Sequence, residues 1–339
     1  MKALARFAVL CLAAVGSASA AFAVDPPKPY IVRDLSVDVT AGSATEAQTQ
    51  AWAQARVTAA GRLIDRLTLP EDRAAATSPL ETADVARLYK GMQTQSTEKR
   101  TSTRYISTLI VPFDDKPVRD YLDAHGVPFV DTQAGLAIVA PVAGAGVNPG
   151  DWASVWAGKS DGNVLTPYVA STRPWDHTPA WGEVQPEADA AGALRAVDAE
   201  AINQNGQIYV RLTDVRPGTA PTSLGVAGPF PDYARAQTGT VEAMETAWKR
   251  ATIVRTSGTS DVSAVASFHS LPEWVKIQKG ITDSRIISGL KIQSLSTQGA
   301  DLTFTYAGRP DQLANDLRAR GLSIQNAGQG WLIEVASSQ

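Results

Sequence analysis

The chain has 339 residues, with 31 basic and 34 acidic side chains, a formal net charge of -3 and one cysteine. That mild acidity gives no footing for nucleic acid or anionic lipid, which call for a basic surface, and a lone cysteine excludes an internal disulfide framework or a multi-thiolate metal site. At roughly 100 to 200 residues per domain, the length has room for two or three domains.

Met1-Lys2-Ala3-Leu4-Ala5-Arg6 is a short basic head and Phe7 to Val15 an apolar run. Ala18-Ser19-Ala20 and Ala21-Phe22-Ala23 each offer small residues at the spacing a signal peptidase accepts. The sequence therefore predicts a signal peptide over 1–23, export to the periplasm, and cleavage after Ala23 or Ala20. The apolar run is shorter than the roughly 20 residues of a membrane-spanning helix, and no later segment approaches that length, so no integral membrane segment is expected in the mature chain. Cys11 leaves with the run, and Leu10 ahead of it is too large for a lipid-attachment site. Without Lys2 and Arg6 the mature chain keeps 29 basic against 34 acidic residues, a net charge of -5.

Val24-Asp25-Pro26-Pro27-Lys28-Pro29 reads as an extended leader over 24–29, because proline continues neither a helix nor a ladder. Residues 30–40 are rich in β-branched side chains and predict a strand. Ser43-Ala44-Thr45-Glu46 is a capping box for a long helix whose Trp52, Ala55, Ala59, Leu63 and Leu67 form one apolar stripe. Pro70 stops it. Ser78-Pro79-Leu80-Glu81 opens a shorter helix ending near Gly91, residues 101–113 form a long strand, and Asp115-Lys116-Pro117 starts a helix closed by Gly126. Leu136 to Val139 reads as a buried strand that completes an N-terminal α+β domain over 30–145.

The middle domain, 147–257, is less regular. Trp152 to Gly158 looks helical, Val164 to Val169 extended, and 171–190 (STRPWDHTPAWGEVQPEADA) a long loop. Asn205-Gly206 between two apolar runs signals a hairpin, and Glu242 to Val254 a helix. In the C-terminal domain, 260–339, Val262 to Phe268 is a strand and Ser270-Leu271-Pro272-Glu273 a third capping box. Trp274, Ile277 and Ile281 share a helix face, and Leu322 to Val335 folds back through Asn326-Ala327-Gly328. The order is βαββαββ, with both helices on one face. The fold class is α+β: two or three small domains, each a mixed or antiparallel sheet with helices packed on one face.

Two stretches are alike. Phe113-x-x-Lys116-Pro117, Leu122-x-x-x-Gly126-Val127 and Gly135-Leu136-x-Ile138-Val139 are answered by Tyr306-x-x-Arg309-Pro310, Leu317-x-x-x-Gly321-Leu322 and Gly330-Trp331-x-Ile333-x-Val335. Both read as strand–helix–hairpin units, and duplication and convergence stand as equal explanations.

No catalytic motif survives its context. Gly158-Lys159-Ser160-Asp161-Gly162 has the letters of a hydrolase elbow, but a helix precedes it and a strand follows, the reverse of what that serine needs. A phosphate loop would need its first glycine where Ala153 stands. Gly144-Ala145-Gly146-Val147-Asn148-Pro149-Gly150 resembles a dinucleotide fingerprint with its third glycine displaced by Pro149. His125, His177 and His269 form no spaced pair or local cluster for zinc. No cofactor and no metal are therefore expected. Aromatic rings and acids gather in one place: Trp175, His177, Trp181, Glu183 and Glu187, with Asp189 at the end of the stretch, are the candidate ligand-binding residues, because flat rings beside carboxylates suit carbohydrate.

An N-terminal strand followed by VDVTAGSATEAQTQAWAQARVTAAGRLIDRLTLP and then YISTLIVPFDDKPVRDYLDAHGVPFVDTQAGLAIVAP resembles the bacterial secreted proteins grouped as domain of unknown function 2066, over residues 30–141. The resemblance implies an exported envelope protein and carries over no site residue. The alanine-rich helix behind a V-x-V strand is also similar to the first domain of flagellar-assembly protein T. The expectation is a non-enzymatic periplasmic protein with a binding or assembly role, partnered by an envelope protein or a cell-wall component. The alternative is a glycan hydrolase or glycan-binding protein using the Trp175–Asp189 loop.

Overall fold

Alternation of β-branched and polar residues makes Ile31–Thr40 a strand (β1), with Val32, Leu35, Val37 and Val39 turned inward. In the computed structural model, which describes residues 29–336 except 74–81, 97, 157, 161, 256–257 and 327–329, β1 is the first of fourteen strands in three sheets among the described residues. The predicted signal peptide with Cys11, most of the leader, the Ser78–Glu81 box, Asp161 and the Ala327-Gly328 turn lie outside the described residues.

The N-terminal sheet pairs β1 antiparallel with Arg104–Pro112 (β4), whose other edge carries the short strands Gln93–Thr94 (β2) and Lys99–Arg100 (β3). Ala44–Leu67 (α1) lies across it, capped by Ser43, whose side chain accepts from Glu46 N. Ala47, Ala51, Ala55 and Ala59, at a spacing of four, are fully buried beneath α1. These small side chains let the helix axis come close to the sheet. Thr82–Leu88 (α2) and Asp115–Ala124 (α3) complete the unit, and Gly126, at φ 64°, ends α3 in the left-handed region glycine tolerates.

The outer edge of β1 would otherwise expose unpaired backbone. Asn163 closes it like a one-residue strand: its Oδ1 accepts from Arg33 N at 2.9 Å and its Nδ2 donates to Arg33 O at 3.3 Å. Arg66 at the end of α1 donates to the same Oδ1 (2.7 Å) and to the carbonyls of Pro29 and Ile31.

Ala137–Ala143 (β5) corrects the expected grouping. It belongs to the middle sheet, not the N-terminal one, and lies parallel between Tyr168–Ala170 (β6) and Arg195–Gln204 (β7). The run AIVAPV is buried at every position, as a central parallel strand covered on both faces requires. Gln207–Val215 (β8) and Thr222–Phe230 (β9) extend the sheet antiparallel in the order β6-β5-β7-β8-β9, and the β7–β8 turn is the expected Asn205-Gly206, at φ 53° and 81°. Pro149–Ser154 (α4) and Tyr233–Thr252 (α6) pack on one face, where Trp152 is 0% exposed and its Nε1 donates to Ala199 O at 3.0 Å. α6 starts nine residues before the predicted Glu242, at an Asp232 cap that accepts from Arg235 N. Trp181–Ala191 (α5) covers the other face.

The C-terminal unit runs Thr259–Ser267 (β10), Leu271–Thr282 (α7), Ile287–Leu295 (β11), Gly299–Ala307 (β12), Pro310–Ala319 (α8), Leu322–Asn326 (β13) and Trp331–Val335 (β14). This is the expected βαββαββ order, in a sheet ordered β11-β12-β10-β14-β13 with both helices feeding one core.

The internal likeness is wider than the sequence shows in one respect and narrower in another. Leaving aside α2 and β3 of the N-terminal unit, both terminal units run β-α-β-β-α and pair the first strand with the strand before the last helix of that run, whose other edge carries the two-residue β2 or the nine-residue β11: β1-β4-β2 and β10-β12-β11. Helices α3 and α8 are each followed by a left-handed glycine, Gly126 or Gly321 at φ 75°. Past that point they diverge, correcting the two-hairpin reading. β13 and β14 pair as a hairpin, whereas Phe129 makes only an isolated bridge to Thr68 and β5 leaves for the middle sheet.

Candidate functional site

The five residues singled out in the sequence do come together, Trp175 and His177 on a non-helical segment and Trp181, Glu183 and Glu187 on the helix that follows it. Residues 181–191 are α5, which corrects the predicted 171–190 loop. Pro186 and Gly182 argue against a helix locally, yet Val184 and Ala188, one turn apart, are fully buried against the sheet. Glu183 Oε2 accepts from Ala180 N at 2.8 Å and so secures the first turn.

Trp175 is 3% exposed; its Nε1 donates to Ser171 Oγ at 3.0 Å, and the Arg173 guanidinium lies 3.8 Å from its ring centroid. That leaves no open face on which a sugar ring could stack. Trp181 packs half-buried against the same cluster. His177 Nδ1 faces Asp176 Oδ1 at 2.8 Å and Nε2 faces Glu183 Oε1 at 3.1 Å, while Glu187 accepts from Thr172 N and pairs with Arg173. The hydrogen bond to Asp176, then that to Glu183, raises the His177 imidazole above its ordinary pKa. Glu183 is lowered first by the Ala180 amide and then by His177. Together these groups clasp the 171–180 segment to the start of α5.

The larger feature is a cleft of about 960 Å³ where the three units meet. Its floor is the connector Asp131–Leu136. One wall is the start of α3, with Asp115 and Arg119; another is the end of α5, with Ala191 and Gly192; the third is the ends of α7 and α8, with Ser284, Arg285 and Arg320. Of residues 165–190, only Pro167 lines it.

Its ionic groups are arranged in pairs. Arg119 Nε donates to Asp131 Oδ2 at 2.7 Å and its Nη1 lies 3.0 Å from Asp115. The Tyr30 hydroxyl donates to the same Asp131 oxygen at 2.6 Å, and burial followed by the Asp131 charge drives this phenol far above its ordinary pKa. Arg320 Nε donates to Asp316 at 3.1 Å and its Nη2 to Thr132 Oγ1 at 3.2 Å. Arg285 lies 3.7 Å from the Phe129 centroid, with Asp123 at 3.4 Å. Ser284 Oγ is buried without a partner among the described residues.

Sequence reasoning singles out none of Arg119, Asp131, Ser284, Arg285 or Arg320, which come from separate units and meet only in space. No group of three or more His, Cys, Asp or Glu able to hold a metal occurs among the described residues, nor does a helix long and apolar enough to cross a membrane. The chain matches no protein-family model and no curated protein. Fold and cleft define it by architecture, as an α+β protein of three sheet units around a shared cleft.

Proposed function

We propose that this is a periplasmic envelope protein without catalytic chemistry of its own, which binds a partner in the three-unit cleft and serves in envelope assembly. The observation that carries the reading is the cleft itself: it lies at a junction of domains, where ligand sites concentrate, and its size falls at the upper end of ligand pockets. The pairing of Arg119 with Asp131 and of Arg320 with Asp316 supports it further, since those groups fix the shape of the walls. The signal-like N-terminus and the resemblance to secreted envelope proteins supply the address.

Cell fractionation with N-terminal sequencing tests that address; the expected mature chain begins at Val24 or Ala21. A photo-crosslinking residue at Gly135, exposed on the cleft floor, is expected to form a defined adduct in cells, and the same residue at Val226 on β9 is not. A chain that stays in the cytoplasm, or one that crosslinks from neither position, overturns the reading.

A further inference from the structure

We propose that the cleft takes an extended polypeptide segment, which adds to Asp131–Gln133 as a strand through main-chain hydrogen bonds and sets an acidic side chain against Arg285. This rests on the cleft being a binding site and names its ligand class.

The connector 131–136 runs without helix, turn or bend. In an extended chain the N–H and C=O of one residue point to the same side, and those of the next residue to the opposite side. The hydrogen bonding of this segment follows that alternation. Thr132 O accepts from Trp248 Nε1 at 2.8 Å and Ala134 N donates to Leu165 O at 2.8 Å, so each even position is tied to the protein through one of its two main-chain groups. Among the described residues, the amides and carbonyls of Asp131 and Gln133 find no protein partner. Both residues line the cleft. The segment is thus an extended stretch held to the protein on one side and unpaired at Asp131 and Gln133 on the other, which resembles a sheet edge before an incoming peptide adds to it. A residue that faces Asp131 or Gln133 in an antiparallel pair exchanges two hydrogen bonds with it, four in all.

The charge preference comes from the arginines. Arg119 holds two carboxylates and Arg320 reaches both oxygens of Asp316. Among the described residues, Arg285 has Asp123 at 3.4 Å as its one carboxylate, itself 62% exposed, and its guanidinium is held in place on Phe129. It is the cleft arginine with capacity for another acid, and the buried Ser284 hydroxyl beside it lacks a partner among the described residues.

The test uses the full chain, panned against a cysteine-free random dodecapeptide library displayed on phage. The best enriched sequence is synthesised twice, once unmodified and once N-methylated at alternate residues. The unmodified peptide is expected to slow hydrogen exchange at the amides of Asp131 and Gln133. N-methylation should weaken it about tenfold or more, since each lost main-chain bond is worth on the order of 1 kcal/mol. Gln133→Pro, which removes the amide, should weaken binding where Gln133→Ala, which keeps it, does not; Arg285→Ala should weaken only peptides that carry Asp or Glu. Panning that enriches nothing, equal binding of the N-methylated peptide, or protection elsewhere on the chain overturns the inference. If cleft crosslinks form in cells while N-methylation has no effect, this inference fails and the proposed function stands. If the peptide binds as described but no crosslink forms in cells, the inference stands and the proposed function fails.

Discussion

Asp198 is a carboxylate with no group to receive its charge. It lies on β7 opposite Thr213 and beside Ala140, is 1% exposed, and neither oxygen has a hydrogen-bond partner among the described residues. Burial, followed by the charge of Asp214, raises its pKa to about 7. The folded chain therefore keeps this proton between about pH 4, where an unfolded aspartate titrates, and about pH 7. The contribution of Asp198 to stability is most favourable below that window, falls across it as pH rises, and is level above it, with a difference of about 4 kcal/mol at most. Asp198→Val, which suits a buried strand, should raise the urea midpoint at pH 8 and leave it nearly unchanged at pH 4. Parallel pH curves for the two proteins would show that Asp198 is neutralised by something other than its own proton.

At the scale of elements, α1 and α5 show what makes a helix legible in sequence. The apolar stripe of α1 recurs at regular spacing behind a Ser/Glu capping box, and Ala55, Ala59, Leu63 and Leu67 are all buried, with Trp52 half-buried at the margin. Because the alanines set the helix–sheet distance, Ala55→Leu should cost about 1–3 kcal/mol in denaturant unfolding, whereas a change at Val57, 42% exposed, should cost little. In α5, Gly182 and Pro186 oppose the helix, and what decides the matter is the tertiary burial of Val184 and Ala188, which no local pattern carries. The same holds for β5, whose apolar run announces a buried strand without saying which sheet takes it. The candidate residues around His177 are legible as a cluster because they are near in sequence; the cleft is not, because Arg119, Arg285 and Arg320 are far apart in the chain. Since His177 is raised above its ordinary pKa, its clasp on α5 is complete below about pH 6.5 and is lost as pH rises through the folded value. An NMR titration of the imidazole should give a midpoint above 6.5, and Asp176→Asn should lower it. A midpoint at or below 6.5 removes the clasp.

For the whole molecule, the decisive fact is that the cores of the three units are separate. The N-terminal and C-terminal clusters each draw only on their own unit, and the middle sheet has one cluster on each face. Besides Asn163 on the edge of β1, Arg285 against Asp123 and Phe129, and Arg320 on Thr132, what joins them is a set of contacts around the last turns of α6. Leu69, Val130, Leu165 and Ile253 form a fifth cluster with Trp248 beside it; Gln312 Nε2 donates to Ile253 O at 2.8 Å, and Arg255 pairs with Asp72 at 2.6 Å. At the centre, Lys249 reaches from α6 to the end of α1 and donates to Asp65 O at 2.7 Å and Thr68 O at 3.1 Å. It is 5% exposed, and burial, only partly offset by Glu245, lowers its pKa to about 8. A lysine lowered in the folded state opposes folding while it is charged, so stability should rise with pH from about 8 to about 10.5. Lys249→Met removes that titration and also takes the lysine donor from Thr68 O and from Asp65 O, which keeps Arg73 Nη2 at 3.0 Å, a loss of about 1–3 kcal/mol of coupling between units. In calorimetry near pH 7 the native chain should unfold in one transition and the Lys249→Met chain in at least two, with the N-terminal unit melting apart from the others. A single transition shifted as a whole would mean that the apolar cluster alone couples the units. Because the cleft exists only while all three units are docked, the same substitution should weaken cleft binding without touching a residue that lines it.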